Sequence, residues 1–189
     1  MLETLKQWDR ELFIYLNSLG IERFDGFWIF VTQRESWIPL FIIFITLIFY
    51  YYRLRKGLVV IIFLLITLFI TVFFTDFVKE YIQRLRPNNV EEFSKLIRIL
   101  QRPTNFSFFS GHAASSFAVT TFIALSIRRF TRCIYFAYIW PILFVLSRIF
   151  VGVHYPSDLF VGALVGTLIA YLIYHISKRI LVKIESSQL

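Results

Sequence analysis

Four residues late in the chain combine a hydroxyl, a cation, an imidazole and a carboxylate, in the pattern Ser147-Arg148-x5-His154-x3-Asp158. A hydrogen bond from one imidazole nitrogen to Asp158 would fix the histidine tautomer and leave the other nitrogen free to attack an electrophile such as phosphorus. Arg148 lies near the end of an apolar stretch, where a charge is costly unless a partner such as an anion compensates it. A purely structural His–Asp pair is the alternative interpretation.

A second pattern pairs two cations. Lys79 and Arg86 are seven residues apart, and Pro87 follows directly. On a helix this spacing places both side chains on one face, about 10 Å apart along the axis, so that both would reach one anion. Pro87 is then expected to end the helix at that point. Two cations that extend from the membrane interface toward water would produce the same pattern.

The third pattern is Ser110-Gly111-His112, where a polar segment meets an apolar stretch. A helix that begins here offers unpaired backbone N–H groups to an anion, and Gly111 lets the backbone approach closely. The hydroxyl and the imidazole would then bind phosphate and protonate a leaving oxygen. An ordinary serine N-cap followed by an interfacial histidine fits the pattern equally well.

The chain that carries these patterns is strongly apolar. Of its 189 residues, 58% are hydrophobic and 20% aromatic, and its mean hydropathy is +0.68. These values exclude an ordinary soluble domain of this length. A membrane-spanning helix needs about 20 mostly apolar residues. Stretches of this kind occur at residues 37–52, 57–78, 113–127, 133–150 and 159–176. The sequence therefore predicts an all-α integral membrane bundle with five transmembrane helices.

Residues 1–36 differ because charged residues interrupt them, among them Lys6, Asp9 and Arg10. These charges exclude a signal-peptide core and a clean span, so no cleaved signal is expected. Apolar residues recur at spacings of three and four, which predicts an amphipathic helix in the membrane interface. The recurring residues are Leu5, Trp8, Leu12, Tyr15 and Leu19. Packing on the bundle is an equal alternative, and a sixth span stays open. We predict one domain over residues 1–189, with the bundle at 37–178.

The charge pattern predicts which face of the membrane each connection occupies. The net charge of +8 would suggest nucleic-acid binding in a soluble protein, but the basic residues cluster at span ends, and we exclude that function. One face collects basic residues with Glu185 as its only acid, and is predicted to be cytoplasmic together with the C-terminus. Those basic residues are Arg53, Arg55, Lys56, Arg128, Arg129, Arg132, Lys178, Arg179 and Lys183. The three patterns all fall on the other, outward face.

Together the three patterns resemble the three-part signature of the type 2 phosphatidic acid phosphatase (PAP2) superfamily, and in particular its membrane lipid phosphatases. The matching motifs are Lys79-x6-Arg86-Pro87, Ser110-Gly111-His112 and Ser147-Arg148-x5-His154-x3-Asp158. Two departures are visible. Phe109 stands where the family usually has proline, which removes no catalytic group, and members often show six spans where we predict five and an amphipathic segment.

The resemblance implies a phosphate-binding set. Lys79, Arg86 and Arg148 would hold the phosphate oxygens, and Ser110 and the Gly111 backbone N–H would add hydrogen bonds. Neither a metal nor another cofactor is implied. The sequence agrees, because it offers no plausible carboxylate or histidine cluster beyond the motif residues.

The resemblance also implies catalytic roles. His154 would be the nucleophile and would form a phosphohistidine intermediate, and Asp158 would orient it. His112 would act as general acid and base, first protonating the leaving group and later activating water.

The expected function is hydrolysis of a lipid phosphate monoester or diphosphate on the outer face of the cell or inner membrane, with the bilayer lipid as the partner. By family analogy undecaprenyl diphosphate is the leading substrate. Lipid A, phosphatidylglycerophosphate and phosphatidate are alternatives, since they present the same phosphoester. A protein of another class, which binds an anion or a lipid without catalysis, would also use Arg148 and His154.

Overall fold

The structure is a computed structural model that describes residues 2–93 and 95–186. All regular elements in this part of the chain are helical, as predicted. The α-helices are α1 (Leu2–Ser18), α2 (Asp25–Thr32), α3 (Ile38–Ile82), α4 (Gly111–Ile127), α5 (Ile139–Phe150) and α6 (Pro156–Ser186). A 3-10 helix, Arg132–Tyr138, leads into α5.

Helix α3 is interrupted at Arg53, whose backbone has φ 57° and ψ −177°. This residue separates an N-terminal arm, residues 38–52, from a C-terminal arm, residues 54–82. A Cβ added to Gly57 would lie 2.7 Å from the Phe49 ring, although residues eight apart on a straight helix are about 12 Å apart along the axis. The chain therefore bends sharply at Arg53, and the two arms contact each other next to this bend.

The helices agree with the predicted spans. By length and composition, three helical segments within the described residues are apolar enough to cross a membrane. They are Glu35–Phe93, which contains both arms of α3, Arg132–Phe150 and Pro156–Ile184. Helix α4 is apolar but shorter. Each of the five predicted spans thus falls on an apolar helix or on one arm of α3, while the number of membrane crossings stays a prediction.

Helix α4 lies at the centre of the bundle, and most of its side chains are buried. Helix α6 approaches it closely through two glycines. A Cβ at Gly166 would lie 2.0 Å from the Ala114 carbonyl oxygen, and one at Gly162 would lie 2.6 Å from that of Ser110. Small residues at these positions let the two backbones touch, which fixes the start of α4 against α6.

The prediction that Pro87 ends the helix carrying Lys79 is wrong. Helix α3 ends earlier, at Ile82, because Gln83 adopts the left-handed conformation with φ 52° and its N–H caps the Lys79 carbonyl at 2.9 Å. Arg86 therefore lies beyond the helix, in an extended segment before the 3-10 turn Pro87–Asn89. The two cations do not share a helical face, although both reach the same cavity, described below.

Two of the connections predicted to be cytoplasmic lie side by side. Arg53, Arg55 and Lys56 line one pocket with Arg129, and the Tyr52 hydroxyl donates to the Ser126 carbonyl at 2.7 Å. The fold thus places these two basic connections at one end of the bundle. The side of the membrane on which this end lies stays a prediction.

The N-terminal segment combines both interpretations of its sequence. Helix α1 packs on α5 and α6, with Phe13 and Asn17 buried, and Asn17 donates to the Ile149 carbonyl at 2.8 Å. The predicted apolar row is nevertheless exposed. Its members range from 47% exposed for Leu12 to 62% for Trp8 and Tyr15.

Candidate active site

His154 lies just before α6 and Asp158 lies in the first turn of this helix. Both side chains are fully buried. His154 Nδ1 is 3.4 Å from Asp158 Oδ2. The Tyr155 N–H donates to the same oxygen at 3.0 Å, and the Ser107 hydroxyl also donates to it. These donors hold the carboxylate in place beside the imidazole. The structure therefore brings together the imidazole and carboxylate singled out by their spacing.

The second imidazole nitrogen of His154 faces Arg86. Nε2 lies 2.9 Å from Arg86 Nη1, and because a guanidinium only donates, Nε2 accepts this hydrogen bond and the ring proton belongs on Nδ1. Arg86 also donates to the Val153 carbonyl and, through Nε and Nη2, to the carbonyl and side-chain oxygens of Asn105 at 2.8 and 2.9 Å. The nitrogen predicted to be free is thus occupied by the neighbouring cation.

The surroundings of His154 favour its neutral form. Burial lowers the pKa of His154 well below its ordinary value, and the nearby cations Arg86, Arg148 and Lys79 lower it further. A neutral imidazole has an available lone pair and can act as a nucleophile near pH 7.

Arg148 is only 3% exposed. Its Nη1 donates to the hydroxyl of Thr32 and, at 3.1 Å, to Gln101 Oε1. Among the residues that the structure describes, no group accepts a hydrogen bond from its Nε. The partners of Nη1 are neutral side chains, and a buried guanidinium with an unused donor is well suited to bind an anion.

Gly111 begins α4 opposite Lys79. A Cβ added at Gly111 would lie 3.3 Å from Thr75 Cγ2 and 3.9 Å from Lys79 Nζ, so a larger side chain would fill the space beside the ammonium group. Ser110 is the N-cap, and its hydroxyl accepts from the Ala113 N–H at 3.4 Å. The Ser110 N–H donates to the Asp158 carbonyl at 3.0 Å, which joins the start of α4 to α6.

These elements surround one cavity of about 760 Å³. Lys79, Arg86, Gly111, His112 and Arg148 line its polar end. The other three predicted site residues, Ser110, His154 and Asp158, are buried behind this wall. The His112 ring lies 5.1 Å from the Phe144 ring. The structure thus places five of the eight predicted residues on the cavity wall and three directly behind it.

The other end of the cavity is an apolar groove. It is bounded by α4, by α5 and by the two arms of α3. Its walls include Phe41, Ile45, Leu65, Ile123 and Trp140. From Gly111 to Ile123 the cavity follows α4 for about 18 Å. Ile45 and Leu65 are about half exposed, so the groove is accessible from outside the bundle between the arms of α3.

Several residues of the site were not identified from the sequence. Arg84 donates to Asp158 Oδ1 at 2.7 Å and to Asp9 Oδ2 of α1 at 2.7 Å. Ser107 lies between His154 and Asp158, and Arg34 lines the polar end of the cavity. Arg84 precedes Arg86 by two residues, and this second nearby cation is the sequence feature from which Arg84 could have been predicted. The others carry no motif, since only the fold brings them to the site.

One further histidine and one further arginine have other partners, away from the site. His175 contacts the rings of Tyr171 and Tyr174 far along α6. Arg98, in the connection after Arg86, pairs with Asp25 at 2.5 Å.

Comparison with known proteins identifies the family. The model of the PAP2 superfamily matches residues 58–181. A lipid A 4'-phosphatase from Bacteroides thetaiotaomicron is 30% identical over 98% of this chain and 84% of that protein. An undecaprenyl-diphosphatase from Sulfolobus acidocaldarius is 32% identical over 86% of this chain and 75% of that protein. The family resemblance read from the three motifs is thereby confirmed.

The fold agrees with this assignment. The crystal structure of a transmembrane PAP2-type phosphatidylglycerolphosphate phosphatase from Bacillus subtilis superposes with a TM-score of 0.75 at 21% identity, covering 94% of this chain and 88% of that one. The predicted all-α membrane bundle is therefore confirmed. The chain belongs to the PAP2 superfamily, and it is a multi-pass membrane phosphatase of that family.

Proposed function

We propose that this protein hydrolyses a lipid phosphate at the outer membrane face, without a metal ion, through a phosphohistidine at His154. One observation carries the proposal: a single cavity joins the cations Lys79, Arg86 and Arg148 to an apolar groove. The cationic end suits a phosphate group, and the groove suits a lipid chain. His154, behind Arg86, is close enough to act on a phosphate bound there.

Phosphate binding prepares the nucleophile. A phosphate oxygen that accepts a hydrogen bond from Arg86 Nη1 competes with His154 Nε2 for that donor. Because the charged phosphate is the stronger acceptor, binding releases the Nε2 lone pair. Lys79 and Arg148 hold the remaining oxygens, and the unused Arg148 Nε gains a partner.

The first chemical step is an in-line displacement at phosphorus. The Nε2–P bond forms as the bond from phosphorus to the leaving oxygen breaks. His112, which is protonated while the anionic phosphate is bound, gives its proton to that oxygen. Positive charge develops on the His154 ring, and Asp158 stabilises it through the Nδ1 proton. The three cations stabilise the charge on the transferring group.

The second step regenerates the enzyme. His112, now neutral, takes a proton from water while the water oxygen attacks phosphorus. The N–P bond breaks, inorganic phosphate leaves, and Arg86 returns to His154 Nε2. Within the described residues, no group of three or more His, Cys, Asp or Glu side chains is placed to hold a metal ion.

For the substrate, we propose a lipid A phosphate monoester, with undecaprenyl diphosphate as the second candidate. The relative named lipid A 4'-phosphatase aligns with nearly the whole chain, the N-terminal segment included, and the relative named undecaprenyl-diphosphatase aligns with a smaller share. Family analogy alone favours the diphosphate, whereas the longer alignment with the lipid A 4'-phosphatase supports the order that we propose.

We further propose that the protein lies in the cell or inner membrane with its site on the periplasmic or extracellular side and its C-terminus in the cytoplasm. The distribution of basic residues supports this orientation. The cluster of Arg53, Arg55, Lys56 and Arg129 lies at one end of the bundle, and the site lies at the opposite ends of the same helices.

The test is phosphate release by detergent-purified protein from lipid A, undecaprenyl diphosphate, phosphatidylglycerophosphate and phosphatidate, with EDTA present. Release from lipid A that resists EDTA and is lost in His154→Ala is expected. Preferential release from undecaprenyl diphosphate would reverse the substrate order, and loss of activity with EDTA would overturn metal independence. Release from none of the lipids would favour a protein that only binds the anion.

A further inference from the structure

A polar network connects α1 to the catalytic carboxylate. Arg84 Nη1 donates to Asp158 Oδ1 and its Nη2 donates to Asp9 Oδ2, each at 2.7 Å. Asp9 also accepts from the Ser157 N–H at 2.9 Å and from the Ser157 hydroxyl at 2.5 Å. The Arg84 guanidinium lies 3.9 Å from the centre of the Tyr155 ring. One planar fork thus bridges a carboxylate of α1 and the carboxylate beside His154.

Asp9 matters because it fixes Arg84. The carboxylate of Asp158 is fully buried, whereas the Arg84 and Asp9 side chains are 23% and 12% exposed. Without Asp9, Arg84 would keep Asp158 and the Ser157 hydroxyl as partners of Nη1, but Nη2 would lose the carboxylate that holds the other side of the guanidinium. The position of the Asp158 carboxylate, and through it the orientation of the His154 ring, therefore depends on where α1 lies.

Helix α1 has three distinct sides. At about 100° per residue, Asp9, Phe13 and Asn17 fall on the side that faces the bundle. The exposed apolar row of Leu5, Trp8, Leu12, Tyr15 and Leu19 forms a second side. Glu3, Gln7 and Glu11, all exposed, form a third. A helix with a packed side, an apolar side and an acidic side suits a position beside a bundle, at the boundary between lipid and water.

We propose that α1 docks in the outer leaflet through its apolar row, and that Asp9 and the positioning residue Arg84 transmit this docked position to Asp158. The bilayer is the occupant of the apolar row because α6, on which α1 packs, also exposes apolar side chains such as Phe160 and Leu164. Trp8 and Tyr15 add the amphipathic rings typical of the interface. The inference rests on the proposed function, since it assigns Arg84 to the same reaction.

The coupling is tested with a double-mutant cycle on protein in lipid vesicles. Asp9→Asn and Arg84→Gln are each expected to lower kcat about tenfold to a hundredfold, the usual effect of losing a charge-assisted hydrogen bond to a catalytic group. KM should change little, because neither residue lines the cavity. The double variant should lose no more than the more damaging single variant. A double variant whose loss in kcat equals the product of the two single losses would overturn the coupling. So would variants that raise KM and leave kcat unchanged.

Two matched controls separate positioning from a general structural effect. Glu11→Gln makes the same change as Asp9→Asn on the acidic side of α1. Arg98→Gln removes another half-buried arginine–carboxylate pair, Arg98–Asp25. Both are expected to keep kcat within about twofold. Arg84→Lys retains the charge without the fork and should recover part of the activity. Equal losses in Arg98→Gln and Arg84→Gln would overturn the positioning role.

Membrane docking is tested without turnover, so that its failure is distinct from failure of the proposed function. Cys133 is the single cysteine, and Cys133→Ser allows a spin label at Leu12→Cys or, as control, at Glu11→Cys. In vesicles the label at position 12 should be accessible to oxygen dissolved in the bilayer, and that at position 11 to a water-soluble relaxing agent. Water accessibility at both positions would overturn the docking of α1, whatever the activity.

Discussion

Arg86 Nη1 lies 2.9 Å from His154 Nε2, so a cation expected to bind phosphate occupies the nitrogen expected to attack it. The same guanidinium is fixed by Asn105 and the Val153 carbonyl. This arrangement keeps the imidazole in one tautomer, with its proton toward Asp158. It also links substrate binding to activation, since the phosphate takes over the donor that covers the lone pair.

Replacement of Arg86 by lysine should be damaging although the charge is kept. A single ammonium group cannot contact Asn105, Val153 and the phosphate together. We expect kcat/KM in Arg86→Lys to fall by about a hundredfold or more, measured as phosphate release. Arg102→Lys, at an exposed position, is the control and should keep full activity. Comparable losses in the two variants would contradict the role given to Arg86.

The buried His154 should make stability depend on pH. Its pKa is lowered in the folded state, so below about pH 6.5 the unfolded chain binds a proton that the folded protein does not. The stabilisation is therefore complete above pH 6.5 and is lost as the pH falls, by about 1.4 kcal/mol per pH unit until the folded pKa is reached. When the pH is lowered from 6.5 to 5, the Tm of the wild type should fall more than the Tm of His154→Gln. A constant difference would show an unshifted pKa.

Gln83 ends α3 in a conformation that suits glycine. With φ 52°, its side chain is strained, whereas glycine adopts this conformation freely. Gln83→Gly should raise the free energy of unfolding by about 0.5 to 1 kcal/mol. Gln83→Val should lower it, since a β-branched residue tolerates positive φ poorly. Thermal unfolding in detergent measures both, and destabilisation by glycine would contradict this explanation of the helix end.

Gly166 should tolerate no side chain. An alanine Cβ there would lie 2.0 Å from the Ala114 carbonyl oxygen and would force α4 and α6 apart. Gly166→Ala should cost about 1 to 3 kcal/mol of stability or prevent folding. At Gly26 an added Cβ meets nothing within 4 Å, so Gly26→Ala is the matched control and should be close to neutral. Similar Tm values for the two variants would show that the helices can separate at little cost.

Much of the site was predictable from the sequence because the chemistry depends on residue types that are costly in an apolar chain. Arg148 and the His154–Asp158 spacing could be recognised within one segment, and the alternation of spans placed them on the same face as Lys79 and His112. The family match confirms the resemblance that these residues carry.

What could not be predicted depends on contacts between distant segments. Asp9 lies 75 positions from Arg84, and nothing in its local pattern distinguishes it from other charges of α1. The end of α3 was predicted wrongly because proline is a strong signal for a helix end. Gln83 ends the helix in the left-handed conformation, but glutamine is not a residue type that predicts this conformation. The contact of Arg86 with His154 likewise exists only because the chain turns after Gln83.

A phosphoryl group carried by His154 would be detectable as a covalent intermediate. The most direct measurement is to mix the protein with lipid A labelled with ³²P, stop the reaction with alkali, and locate the label by peptide mapping. Label on the peptide containing His154, stable to alkali but lost in acid as expected of a phosphorus–nitrogen bond, and absent in His154→Ala, is the predicted result. Continued phosphate release by His154→Ala, or wild-type turnover of a labelled lipid with no label on that peptide, would contradict it.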